Sequence, residues 1–266
     1  MIRVYVEGVG LAGPGLPGWQ VSRAVLAGLA PYVSSPIVVA APPGLPPAEG
    51  RRTGAPVRLA LEVAREAFAD AGRDAALTAT VFSSSSGDGD NVHVILEILA
   101  SHDRGVSPTR FHNSVHNAAA GYWSIAARSH EPSTSLCGYD ASFAAGLLEA
   151  ATQVAVEHRA VALVAYDHPY PQPLHAKRPL GASFAVALML TPERVAQASA
   201  ALDIEITRAS GRVTRVEDTA LESLRTSVPA ARALPLLEAL ARSRSETVDV
   251  EYVADARLAI GVTPCR

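Results

Sequence analysis

Lysine is almost missing from this sequence: Lys177 is the one lysine among 266 residues. Arginine supplies the remaining positive charge, 23 Lys+Arg against 26 Asp+Glu, for a formal net charge of −3. No basic stripe or run occurs, which excludes nucleic acid and anionic membrane as expected partners. Cysteine is scarce as well. Cys137 and Cys265 are too few and too far apart for a metal set or a disulfide framework. No apolar run approaches the roughly 18 residues of a membrane span. The opening Met1-Ile-Arg-Val-Tyr-Val-Glu alternates like a strand rather than a signal peptide. The expectation is a cytoplasmic protein of a reducing compartment. Charged residues make up 18% and hydrophobic ones 48%, enough for one large domain or two small ones with a real core.

Periodicity sets the expected elements. Ile2–Val9 alternates and meets Gly10, Gly13 and Gly15, read as a strand and a glycine-rich turn. Trp19–Leu29 has helical spacing, and Pro31–Pro47, with six prolines, reads as an irregular loop. Ala55–Ala71 is the clearest amphipathic helix, stopped by Gly72. Leu77–Phe82 reads as a buried strand, followed by a serine-rich turn and a helix over Val92–Leu99 that Asp88 or Asp90 caps. Ser114–Ala127 reads as a helix of small residues, Ser133–Gly138 as a buried strand, and Ala141–Val156 as a helix. Strands follow at Val161–Ala165, Ser183–Leu190 and Leu202–Thr207, the last two side by side, with Tyr166–Pro179 a loop. Two helices near Thr219–Thr226 and Ala230–Arg242 and strands at Val248–Val253 and Arg257–Val262 complete the chain. Strands alternating with helices predict a layered α/β fold with a largely parallel buried sheet.

Candidate chemistry is sparse. Four serines with Gly87 are no phosphate cradle, since no lysine follows and Asp88 and Asp90 would repel an anion. His112 and His116 stand four apart, but Asn113 follows the first where a metalloprotease helix needs Glu, and no third ligand is near; no metal and no cofactor is expected. Cys137 falls inside the expected strand and reads as a core thiol. Asp140 stands where a helix begins, a place that suits an N-cap carboxylate or a catalytic one. As a nucleophile toward a thioester it would be poor, giving a labile mixed anhydride.

Two segments together resemble the β-ketoacyl synthases, condensing enzymes of the thiolase-like fold: Asn117-Ala-Ala-Ala-Gly-Tyr-Trp-Ser-Ile and Pro132-Ser-Thr-Ser-Leu-Cys-Gly-Tyr-Asp140-Ala-Ser. In that family an Asn-x-x-Ala-Gly-x-x-Thr/Ser-Ile stretch leads to a strand ending in the nucleophilic cysteine. Laid over this chain without a gap, that cysteine falls on Asp140, and Cys137 lies three residues too early. Thr80-Val-Phe-Ser-Ser-Ser-Ser-Gly, Ser107-Pro108 with Phe111, Val161–Ala165 and Gly181–Leu190 resemble further family segments, so the likeness covers roughly residues 1–207. It implies a thiolase-like layered α-β-α fold: one ketosynthase N-terminal half over 1–207, plus a short α/β extension over 208–266 packing on the same domain.

The departures shape the function that the resemblance implies. The nucleophile position is Asp140, no histidine follows His175, and the family's second half with its catalytic histidines and lysine has no counterpart. Condensation needs a thiolate and donors for the developing enolate. Asp140→Cys alone is therefore not expected to create a ketosynthase. A nucleophile-free relative looks like a chain-length factor, and the short form, with Arg51-Arg-Thr-Gly-x-x-x-Arg and Phe111-His-Asn-Ser-Val-His, is similar to the chain-length-factor-like subunit of aryl polyene systems. The implied role is a non-catalytic subunit that pairs with an active ketosynthase, meets acyl carrier protein through that complex, and homodimerises if alone. Its implied acyl-pocket and interface residues are Ser85, Thr109, Arg110, Phe111, Val115, Asn117, Ser135, Cys137 and Tyr139. Two alternatives stay open: an acyl-thioester hydrolase or decarboxylase using Asp140 with His112 or His116, and an acyl- or carrier-protein-binding module.

Overall fold

Strands that are apolar at every position need cover on both faces of their sheet. The computed structural model, which describes residues 1–40, 42–208 and 213–265, places helices on both faces. In chain order the elements are β1 (Ile2–Ala12), α1 (Trp19–Leu26), α2 (Pro47–Arg52), α3 (Ala55–Ala71), β2 (Ala79–Ser83), α4 (Gly89–Ala100), α5 (Pro108–His112), α6 (Ala118–Ala127) and β3 (Ser133–Leu136). Then come α7 (Ser142–Glu157), β4 (Val161–Asp167), α8 (Leu174–Lys177), β5 (Phe184–Thr191), β6 (Ala200–Arg208), α9 (Thr219–Ser227), α10 (Leu234–Arg242), β7 (Glu246–Glu251) and β8 (Ala256–Pro264). Short 3-10 turns precede α7 (Tyr139–Ala141) and α10 (Pro229–Ala233). Ala41 in the proline loop and residues 209–212 near the expected junction lie outside the described residues.

The strands form one sheet in the order β3-β2-β4-β5-β1-β6-β8-β7. The expected largely parallel sheet is corrected to a mixed one: β3, β2 and β4 run parallel, and every other pair is antiparallel. β5 and β6 are not neighbours either. Their short connection steps over β1, which lies between them and pairs with both. β7 and β8 continue the same sheet beyond β6.

Side chains alternate between two cores. Val161, Leu163 and Ala165 of β4 and Phe184, Val186 and Leu188 of β5 face the layer with α7, α10 and Trp19. Ala162, Val164 and Tyr166, with Ala185, Ala187 and Met189, face the layer with α3, α6 and Trp123. In that second layer Trp123 stacks on Phe68, ring centroids 5.1 Å apart.

β1 extends through Gly10, which the sequence places in a turn. Its glycines serve close packing instead: a Cβ on Gly10 would lie 1.9 Å from the Val63 carbonyl oxygen, and one on Gly8 2.4 Å from that of Ala67. The α3 backbone thus rests directly on β1. Two further bounds shift. α1 ends at Leu26 rather than Leu29, and the helix expected from Ser114 begins at Ala118 after a turn.

Candidate functional site

β3 is the outermost strand, bonded to β2 alone, and it stops at Leu136. This corrects the expected buried strand through Gly138: Ser133 is exposed, and Thr134, Ser135 and Leu136 are half-buried. Thr80 and Ser84 N–H donate to the Pro132 and Leu136 carbonyls at 3.1 and 3.2 Å. By strand alternation, Ser133 and Ser135 turn their backbone groups outward, and among the described residues no strand meets them. Cys137 follows as an exposed thiol 3.6 Å from the Ser85 carbonyl oxygen, not the core cysteine expected. An apolar run on an edge strand is buried only as far as its own chain covers it.

At the turn after β3 the left-handed residue is Tyr139, with φ 54°, a conformation costly for a side chain with a Cβ. Ser142 closes this turn. Its Oγ accepts from Gly138 N–H at 3.1 Å and donates to the Tyr139 carbonyl at 2.7 Å. Ser83 Oγ in turn donates to the Ser142 carbonyl at 2.6 Å, anchoring the turn to β2.

Asp140 does not cap α7, contrary to the sequence reading. The 3-10 turn over Tyr139–Ala141 intervenes, so Ala141 occupies the cap position and no side chain bonds there. The Asp140 carboxylate instead accepts from Arg178 Nη2 at 2.8 Å and faces Arg232 Nη2 at 3.6 Å. The Arg178 guanidinium also lies 3.5 Å from the centre of the Tyr139 ring, a cation–π contact. Arg232 comes from the 3-10 turn before α10, so the last part of the chain reaches this position. One Asp140 oxygen thus meets each guanidinium. His112 and His116 do not support Asp140. His116 Nε2 donates to the Ser84 carbonyl at 3.0 Å, and His112 ends α5, so the two imidazoles share no helix.

The serine-rich turn is built on Asp167, which the sequence reading missed. Ser85 N–H and Oγ donate to Asp167 Oδ1 at 2.8 and 2.7 Å, and Ser84 Oγ at 3.3 Å. Ala230 N–H donates to Oδ2 at 2.8 Å. Burial pushes the Asp167 carboxyl up to about 6, against these hydrogen bonds, which favour its charged form. The Ser85 hydroxyl is therefore committed inside the fold. Asp88, one of the two expected caps, accepts from Asn91 N–H at 3.0 Å and caps α4.

The remaining expected site residues lie on α5, in the turn leading into α6, and on β3. Ser107 caps α5, and Asn91 Nδ2 of α4 donates to the Arg110 carbonyl at 2.8 Å, fixing α5 against α4. Thr109 is exposed and Arg110 half-buried, while Phe111 and Val115 keep 71% and 51% of their surface in solvent. Asn117 and Ser135 share a groove of about 460 Å³ with Gly121, Ser124 and Ser133. Within α4 only Asn91 is buried, and Leu96 is 58% exposed. An apolar cleft of about 410 Å³ runs between α4 and α8, walled by Val92, Leu96, Tyr170, Pro173 and Leu174. This apolar helix was readable, since Val92, Val94, Ile95, Leu96, Ile98 and Leu99 point to all sides, a pattern that demands cover. No helix among the described residues is long and apolar enough to cross a membrane, and they contain no group of three metal-ligating side chains.

Comparison with known proteins bears on this geometry. The family model described as "Beta-ketoacyl synthase, N-terminal domain" matches residues 26–249, running past Thr207 through the last two helices into β7. Among solved structures, a chain of the ketosynthase in complex with its chain length factor from Xenorhabdus doucetiae is 23% identical, with 98% of this chain and 100% of that chain covered and a TM-score of 0.74. The ishigamide ketosynthase/chain length factor is 16% identical, with both chains covered in full and a TM-score of 0.74. A beta-ketoacyl synthase from Burkholderia phymatum is 14% identical, again with both chains covered in full and a TM-score of 0.72. No curated protein matches the chain. The fold, the sheet order and the matched span lead to one assignment: this chain belongs to the family of β-ketoacyl synthase N-terminal domains.

Proposed function

We propose that this chain is a non-catalytic, chain-length-factor-like subunit that pairs with an active β-ketoacyl synthase of an aryl polyene or related polyketide system and helps shape its acyl tunnel. One observation carries the reading. Where the resemblance puts the thiolate, the chain has Asp140, held by Arg178 and Arg232. Such a carboxylate keeps the turn and removes the chemistry.

The surface supports the pairing. The open edge of β3, the exposed Phe111 and the apolar α4 lie uncovered in a chain whose other sheet edge is guarded. There, Asp249 of β7 exchanges hydrogen bonds with Thr214. An unprotected strand edge is a template for another chain. Solved relatives include ketosynthases with their chain length factors. On this reading β3 meets the partner's strand, and Thr109, Arg110 and Phe111 reach the floor of its acyl tunnel. A bulky Phe111 there limits the acyl length by steric overpacking, which costs on the order of 1–3 kcal/mol.

Co-expression with a full-length ketosynthase tests this. The two chains should elute together, and Phe111→Ala should lengthen the product without loss of the complex. Separate elution, with product length indifferent to Phe111→Ala, would overturn it.

A further inference from the structure

Away from the turn at Asp140, three side chains from distant parts of the chain converge. Ser183, just before β5, places its Oγ 2.7 Å from His168 Nδ1, just after β4. The opposite ring nitrogen, Nε2, stands 3.5 Å from Asp90 Oδ2 on the first turn of α4. With the ring proton on Nε2, toward this half-exposed carboxylate, Nδ1 keeps its lone pair and accepts from the Ser183 hydroxyl. This is a hydroxyl, a base and an orienting carboxylate in series, the arrangement that activates a serine.

The trio opens on a cavity of about 360 Å³ that His168 and Ser183 line. Ile37, Val39 and Leu59 give it an apolar wall, and Arg58, whose Nε donates to Thr53 Oγ1 at 3.0 Å, adds a cation. We propose that Ser183, His168 and Asp90 form an acyl-ester hydrolase site, an activity separate from the condensation chemistry that the Asp140 turn lacks, which takes short acyl esters or thioesters. Ser183 Oγ attacks the carbonyl carbon, and its proton passes to His168 Nδ1. Arg58 opposes the charge on the tetrahedral oxygen. The C–O or C–S bond then breaks, and His168 returns the proton to the leaving alcohol or thiol. Water, deprotonated by His168, attacks the acyl-serine. The Oγ–acyl bond breaks, Oγ regains the proton and a carboxylic acid leaves. Water is the sole co-reactant. Asp90 is a positioning residue, holding the ring and the imidazolium that forms.

The test uses the purified chain, a fluorophosphonate and 4-nitrophenyl butyrate. A fluorophosphonate adduct is expected on the peptide that carries Ser183. Ester hydrolysis should fall about 100-fold or more in Ser183→Ala and His168→Gln, the span of general base catalysis. Asp90→Asn should lower it, and Asp90→Glu should restore it, which a purely structural role for Asp90 would not do. Absence of an adduct at Ser183 in folded wild-type chain, or hydrolysis unchanged in Ser183→Ala with native circular dichroism, overturns the proposal. Adduct mapping on the wild type decides even where a variant fails to fold.

Discussion

Asp167 is fully buried, yet four donors converge on it from the serine loop after β2 and from the turn before α10. Its carboxyl stands at about 6, above the ordinary 3.8, because burial outweighs those donors. The consequence for stability has a definite sign. Between the two values the folded chain holds a proton that the unfolded chain releases, so this contribution is fully present below about pH 4 and is lost as pH rises through 6. A displacement of this size corresponds to about 3 kcal/mol. Glu238, raised to about 7 by its burial, acts in the same direction. Urea denaturation of the wild type should therefore lose more stability from pH 5 to pH 7.5 than that of Asp167→Asn. Parallel profiles for the two would reject this account. Nothing local in the sequence marks Asp167, a lone acid at the end of an apolar strand whose partners lie 63 and 82 residues away. The sequence offers Asp140 as a helix cap or a catalytic carboxylate, but not as the partner of Arg178 and Arg232, which is also a long-range fact.

Among the elements, the helices that pack with one apolar face were readable, and α3 matches its expected bounds. Their period is a local property, fixed by which residues must turn inward. Strand neighbours are not local, so the sheet order and its antiparallel half stayed hidden. The glycines of β1 illustrate the same limit: Gly10 looks like a turn residue until α3 is laid across it. Replacing it should therefore cost far more than strand propensity suggests. Gly10→Ala forces a methyl group against the Val63 carbonyl and should destabilise the chain on the order of 3 kcal/mol. Thermal unfolding would read this as a clear drop in midpoint. An unchanged midpoint would mean that α3 can lift from β1 freely.

For the whole molecule, burial is set partly by what is not in the chain. Cys137 and β3 were expected in a core because their residues are apolar or small, and both are at an edge. If that edge receives a partner strand, as proposed, a proline at Ser135 removes an outward N–H without touching the bonds to β2. Ser135→Pro should abolish co-elution with a ketosynthase while leaving the circular dichroism of the isolated chain native. Retained co-elution would place the contact elsewhere.

The two-sided sheet has one more consequence. The chain has two tryptophans, and each belongs to a different core: Trp19 with α7 and α10, Trp123 with α3 and α6. Single-tryptophan variants thus give each layer its own intrinsic fluorophore. Whether the two helical layers come away from the sheet together or in turn is readable from emission alone, without any added label.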